Sequence, residues 1–364
     1  FARIKSGDPS KLVVIIDEAQ FVAKRDTSFM EAVAKLKKHK LYPGPVLIIL
    51  ATSSTVWATQ EAAEQFKGAE MKLESLNFLE VVRHFESLPV AEIVRIYGAI
   101  GGVPAYLDKW DASKSFKDNI CRLVLTPSGA LYGEADAVIS AELRELSAYS
   151  TILAAIARGE NKLNDIFHAT GFSRAKISVY LKNLANFNIV EKVVSFETGG
   201  WENAKKGVYQ IKDTFVNFWF KFVYPNMSNL YLLSPEEFYD TYIEKELDAY
   251  LERYFREVCT EYLLILNQMG QLPFTIKRVG TWIGKTGRID IVAQSEDRRS
   301  IIGFCNWDKP MMTMDMCENM AMAMEQARLT SDDYYLFSAT DFEPALQSYV
   351  VRDPRFKLIN MNEL

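Results

Sequence analysis

The sequence predicts an α/β protein assembled from several domains, and three observations predict it. The apolar runs Leu12-Val13-Val14-Ile15-Ile16 and Val46-Leu47-Ile48-Ile49-Leu50 read as strands with a helical stretch between them, as a parallel crossover requires. Residues 149–212 carry three short helical patterns and then two strand patterns. From 236 onward the order is helix, hairpin, strand, helix and further strands. A length of 364 residues suits two or three domains of roughly 100–200 residues each.

Composition bounds the function. With 49% hydrophobic and 24% charged residues, the chain is an ordinary globular one, able to bury a large core without disulfide or metal. Its 42 basic and 47 acidic residues leave a net charge of −5, which argues against a chain coated in nucleic acid but permits one local basic patch. Cys121, Cys259, Cys305 and Cys317 form no C-x-x-C pair, which disfavours zinc and suits a reducing cytosol. No run of 18 uncharged apolar residues exists, so no membrane span is expected, and no signal peptide opens the chain. The expected location is cytoplasmic. The chain starts at Phe1 without Met and reads as a fragment of a longer protein.

Residues 1–10 form a polar lead-in with a turn at Gly7-Asp8-Pro9. The first strand is apolar throughout, which predicts burial on both faces, and it runs into Asp17-Glu18-Ala19-Gln20. Carboxylates at the carboxyl end of such a strand lie where open α/β sheets place ligands. In P-loop NTPases the first acid holds Mg²⁺ and the second can polarise the attacking water. That makes Asp17 the metal candidate and Glu18 the catalytic one. A helix is predicted over 27–40, with Phe29, Ala32, Val33 and Leu36 on one stripe, stopped by Tyr42-Pro43-Gly44-Pro45. The second strand ends in Ala51-Thr52-Ser53-Ser54-Thr55. Ser53 or Ser54 either senses a γ-phosphate beside the acids or caps a helix over 56–66, and the spacing leaves both open.

The Asp17-Glu18-Ala19-Gln20 motif, the strand ending in Ser53-Ser54, and the run Gly101-Gly102-Val103-Pro104-Ala105-Tyr106-Leu107 together resemble the archaeal-type ATPase family, a prokaryotic branch of the AAA+-like P-loop ATPases. The resemblance covers nearly the whole chain. It implies a fold of partial P-loop ATPase sheet (1–70), helical lid (71–145), winged helix-turn-helix (146–225) and restriction-endonuclease-like domain (226–364). It also implies ATP and Mg²⁺ as cofactors. No G-x-x-x-x-G-K-[ST] loop is present; the resemblance places it ahead of Phe1. Gly280-Thr281-Trp282-Ile283-Gly284-Lys285-Thr286 has one residue too few between its glycines and is not such a loop. The Gly-Gly-Val-Pro run follows a helix and carries no lysine, so packing is its expected role.

In the middle region Tyr149, Ile152, Leu153 and Ile156 make one helical stripe, and Leu163, Ile166 and Phe167 a second. Gly171-Phe172-Ser173 is the turn, with Ser173 positioned to cap a third helix carrying Ile177, Tyr180, Leu181 and Leu184 inward. Residues 189–194 and 207–211 read as a wing with Gly199-Gly200 at its tip. Between 158 and 212 there are nine basic and five acidic residues, net +4 within a chain of −5. That sign suits phosphate contact, so Arg174, Lys176, Ser178, Lys182, Lys205 and Lys206 are the DNA-binding candidates. A winged helix used for packing within the chain is the alternative. The aromatic run 214–224 reads as a buried helix, not a base-stacking platform.

For the last domain, nucleases of the restriction-endonuclease kind need a helix Glu, a strand Asp and a Glu-x-Lys on the next strand. Asp290 fills the Asp place, but Phe304-Cys305-Asn306 stands in the Glu-x-Lys place and Arg256 in the helix place. Glu257, one residue on, is rotated by about 100°. The expectation is a degenerate, non-cleaving site formed by Glu257, Asp290, Phe304 and Asn306, with Asp290 paired to Arg288 or Lys285. Seven methionines between 311 and 324 read as a soft helix packed on the sheet. The functional expectation is an ATP-binding and hydrolysing ATPase coupled to a module that binds double-stranded DNA, with a protein partner or homo-oligomer among its partners and no membrane. The alternative is a non-enzymatic DNA-binding or interaction module.

Overall fold

The computed structural model describes all residues except 1, 6–11, 39–44, 55–56, 67, 141–142, 197–206 and 285–286. The chain forms two compact units, Phe1–Glu74 and Ser75–Leu364, both of mixed α and β structure.

The first unit is built on a three-stranded sheet of order β1-β2-β3, with β1 at Ala2–Lys5, β2 at Leu12–Ile16 and β3 at Val46–Leu50. β1 runs antiparallel and β3 parallel to β2, with Ile16 opposite Leu50. Two helices, α1 (Ala19–Arg25) and α2 (Phe29–Lys38), fill the crossover. Phe29 and Val33, one turn apart on α2, bury against Ala19 and Trp57, with Ile16, Ile48 and Leu50 packed around them. The sequence expectation of burial on both faces is corrected here. Ile15, Leu47 and Ile49 are 40%, 55% and 41% exposed, because the helices cover only the opposite face of the sheet. Among the described residues β3 also has a free edge.

In the second unit, helix α3 (Val90–Ile100) lines the core with Ile93, Ile96 and Ile100. It packs on the long helix α7 (Glu244–Gln268) so closely that a Cβ on Gly98 would sit 2.4 Å from Leu251 Cδ2. Gly101 has φ +69°, and a Cβ on Gly102 would fall 1.8 Å from the Leu76 carbonyl oxygen. The double glycine is therefore a packing device, as its sequence context suggested. Beyond several short helical segments come α4 (Leu146–Ala157), α5 (Leu163–Thr170) and α6 (Arg174–Asn186). Gly171, φ +70°, ends α5, and the Ser173 hydroxyl accepts from the Lys176 N–H at the start of α6. The chain then enters an antiparallel pair, β4 (Val190–Val193) and β5 (Val208–Ile211). The aromatic run beyond it is core: Phe215, Phe218, Trp219, Phe220 and Phe222 are all almost fully buried.

The last sheet has five strands, beginning with the antiparallel β6 (Arg278–Ile283), β7 (Arg288–Gln294) and β8 (Ser300–Asn306). Strands β9 (Asp333–Ser338) and β10 (Phe356–Asn360) add on parallel, in the order β10-β9-β8-β7-β6. Helix α8 (Met314–Ala327) buries Met320 and Met324 against this sheet while Met322 faces outward, so the methionine-rich stretch is a packed helix. No described helix is long and apolar enough to cross a membrane.

Candidate functional site

The carboxylate pair sits where β2 gives way to α1. The Ala51 N–H donates to the Ile16 carbonyl at 2.9 Å and the Ala19 N–H to the Ala51 carbonyl at 3.0 Å, tying the carboxyl ends of β2 and β3 together. Glu18 occupies the left-handed region, φ 47° and ψ 45°. A non-glycine residue holds that conformation only where its surroundings fix it. They do so here. One Glu18 oxygen, Oε2, accepts from Gln20 Nε2 at 2.5 Å, from Ser53 Oγ at 2.9 Å and from the Ser53 N–H at 3.3 Å. Gln20 is 2% exposed; its amide also donates to Ser53 Oγ at 3.1 Å, and its carbonyl accepts from Thr52 Oγ1 at 2.6 Å. The Gln20 and Ser53 donors hold the Glu18 carboxyl below its ordinary value.

The neighbouring residues divide the work. Asp17 is exposed, accepts the Glu18 N–H at 3.0 Å, and has no cationic partner among the described residues. Ser54 is buried, and its hydroxyl accepts the Trp57 N–H at 3.3 Å. Of the two serine candidates, Ser53 therefore meets Glu18, and Ser54 caps the helical segment Trp57–Ala62. Gln20 and Thr52 complete the cluster. Both lie in the motifs read from sequence, but no spacing rule assigns them a partner across two strands.

The second acid cluster is closed. Asp290, 5% exposed on β7, takes Arg256 Nε and Arg288 Nε on the same oxygen at 2.9 Å each. Its other oxygen accepts the Cys305 N–H at 3.1 Å. Arg256 comes from α7, the helix place expected from the sequence, and Arg288 from β7 itself. Lys285, the other expected partner, lies outside the described residues. Glu257 turns away and pairs with Arg253 at 2.8 Å. Phe304 packs among the apolar residues on the α8 side of the sheet. Asn306 is buried and donates to the Lys309 carbonyl and Ser338 Oγ, each at 3.2 Å. Glu252, one turn before Arg256, has its carboxyl pushed up by burial and by Asp308. A hard cation needs several oxygen ligands, and here two guanidiniums already compensate the one strand acid. Among the described residues no group of three or more His, Cys, Asp or Glu side chains is arranged to hold a metal.

The third set is the outer face of α6. Arg174, Lys176, Ser178 and Lys182 are exposed, and the helix contains no acid. The Arg174 guanidinium lies 4.0 Å over the Phe167 ring and donates through Nε to Asn164 at 2.9 Å. Lys176 Nζ lies 4.4 Å over the Phe172 ring. These stacked cations keep their charge and lose freedom of movement, which lowers the entropy cost of holding an anion. The Ser178 hydroxyl is spent on the Arg174 carbonyl at 2.9 Å. Lys205 and Lys206 lie outside the described residues.

Residues 219–322 match a family described as "DUF234: Archaea bacterial proteins of unknown function". The chain is 27% identical over 336 residues to "Uncharacterized protein MJECL04" of Methanocaldococcus jannaschii, spanning 90% of this chain and 74% of that one. Among solved structures, the crystal structure of protein VC1899 from Vibrio cholerae matches at 10% identity over 97% of this chain and 88% of that chain. Its TM-score of 0.24 is too low to bear on the fold.

Proposed function

We propose that this chain is part of an ATP-hydrolysing P-loop enzyme whose nucleotide state is coupled to a module that binds duplex DNA. The observation that carries the hydrolytic half is the Glu18 carboxylate, held ionised by Ser53 and Gln20 at the carboxyl end of a parallel strand pair, beside an Asp17 that no cation among the described residues neutralises. Asp17 suits a hydrated Mg²⁺, which takes one or two protein carboxylates and fills its remaining positions with water and phosphate oxygens. ATP, when bound, supplies the phosphoryl group transferred to water. Glu18 then orients that water and takes its proton, and Ser53 fixes the carboxylate that does so. The bare face of Ile15, Leu47 and Ile49, and the edge of β3 left unpaired among the described residues, support one more strand and its helix covering that side.

The DNA-binding half rests on α6. Three helices followed by an antiparallel pair, with three exposed cations and no acid on the third helix, support the reading of a winged helix that lays α6 in the major groove. Asp290, clamped by two arginines, favours binding without cleavage. In the full gene product, Glu18→Gln should cut hydrolysis by about 100-fold or more while sparing nucleotide binding. Undiminished turnover would refute the assignment of Glu18. DNA binding should weaken as salt rises and on Lys182→Ala.

A further inference from the structure

A second basic surface lies off α6, against the end of the last sheet. Lys277, Arg278, Gln294, Ser295, Glu296 and Arg298 line a cavity of about 470 Å³, three cations against one acid. Lys277 and Arg298 are exposed and form no ion pair among the described residues. Arg278 is anchored: its guanidinium lies 4.8 Å over the Phe196 ring and donates to the Phe196 carbonyl at 3.4 Å. The buried Arg278 Nε has no hydrogen-bond partner among the described residues.

Phe196 joins this cleft to the strand pair that follows α6. It stands three residues after β4 and packs with Trp282 and Ile289 in the core of the last sheet. The preceding Ser195 hydroxyl accepts the Ile283 N–H at 3.0 Å. The cleft thus begins where the first arm of the β4–β5 hairpin docks. It lies at the Arg278/Gln294 end of the β6–β7 pair. Asp290 is four residues back along β7, or roughly 13 Å at a strand's rise, so the cleft is separate from the closed acid cluster.

We propose that this cleft is a second contact for the phosphate backbone of duplex DNA, holding the segment that runs past the footprint of α6. The proposal rests on the DNA-binding reading above. An open cleft with two unpaired cations and one pre-oriented guanidinium suits a linear polyanion, because each phosphate neutralised releases counterions without demanding a shaped pocket.

The test uses 12-bp and 30-bp duplexes with the full gene product, read by fluorescence anisotropy across a salt series. The wild type should bind the longer duplex about tenfold more tightly per site. Lys277→Glu with Arg298→Glu should remove that advantage and lower the salt slope for the 30-bp duplex by about 2. Binding of the 12-bp duplex should be unchanged. Lys109→Glu with Lys245→Glu carries the same change in net charge away from the cleft and should leave the length advantage intact. Equal thermal melting of the variants excludes unfolding as the cause. If both duplexes bind but the cleft variant keeps the length advantage and slope, the cleft proposal is overturned while the α6 reading stands. If neither duplex binds, both fall.

Discussion

Two carboxylates, Glu18 just beyond the end of β2 and Asp290 within β7, meet opposite fates. Glu18 is stabilised by neutral donors, an amide and a hydroxyl, which lower its pKa without cancelling its charge. Asp290 is met by two guanidiniums, so its charge is spent inside the fold. The difference separates an anion still open to chemistry from one closed inside the fold. A carboxylate held by dipoles remains an anion available to a metal or a proton, whereas one held by arginines has its cation built in.

The comparison can be broken most sharply at Asp290. Arg256 is only 14% exposed, so Arg256→Ala leaves a buried carboxylate with the half-exposed Arg288 as its one charged partner. The expected cost is roughly 3 kcal/mol, read by chemical denaturation, since removing one partner of a buried pair strands the other charge. A cost below about 0.5 kcal/mol would mean that Asp290 is solvated and the clamp is not structural.

At the other carboxylate, Gln20→Ala removes a buried amide that bridges Glu18, Thr52 and Ser53. A loss of about 1–2 kcal/mol is expected, together with a rise of the Glu18 pKa toward its ordinary value. NMR titration of Glu18 would read the second effect, and an unmoved pKa would remove Gln20 from the network. The sign of the pH dependence follows. Because the folded value is depressed below 4.5, the stabilisation is present above that pH and disappears as pH falls through the lowered value. Smallest in expected effect is Ser54→Ala, which loses a cap hydrogen bond worth about 1 kcal/mol and leaves hydrolysis unaltered. Ser53→Ala should do the reverse. Equal behaviour of the two variants would dissolve the division of roles between them.

The strands around these sites were legible because their signal is one-dimensional. Runs such as Leu12–Ile16 and Val46–Leu50 declare a strand whatever covers them. What covers them was not legible: continuous apolarity read as two buried faces, yet Ile15, Leu47 and Ile49 are open. The rotation of Glu257 away from Asp290 could be read, since one helical residue turns the side chain by about 100°. The Glu18 network could not. It depends on a left-handed residue after β2 and on the register that sets Ser53 of the β3 end beside it, neither of which a motif encodes. Arg278 on Phe196 joins residues 82 positions apart and has no local signal at all.

If the anion at Glu18 activates the hydrolytic water, removing its charge must show in turnover. Steady-state ATP hydrolysis by the full gene product, wild type against Glu18→Gln, with nucleotide affinity measured in parallel, tests it most directly. Turnover should fall by about 100-fold or more at nearly unchanged affinity. Turnover within twofold of wild type, at equal affinity, would contradict it.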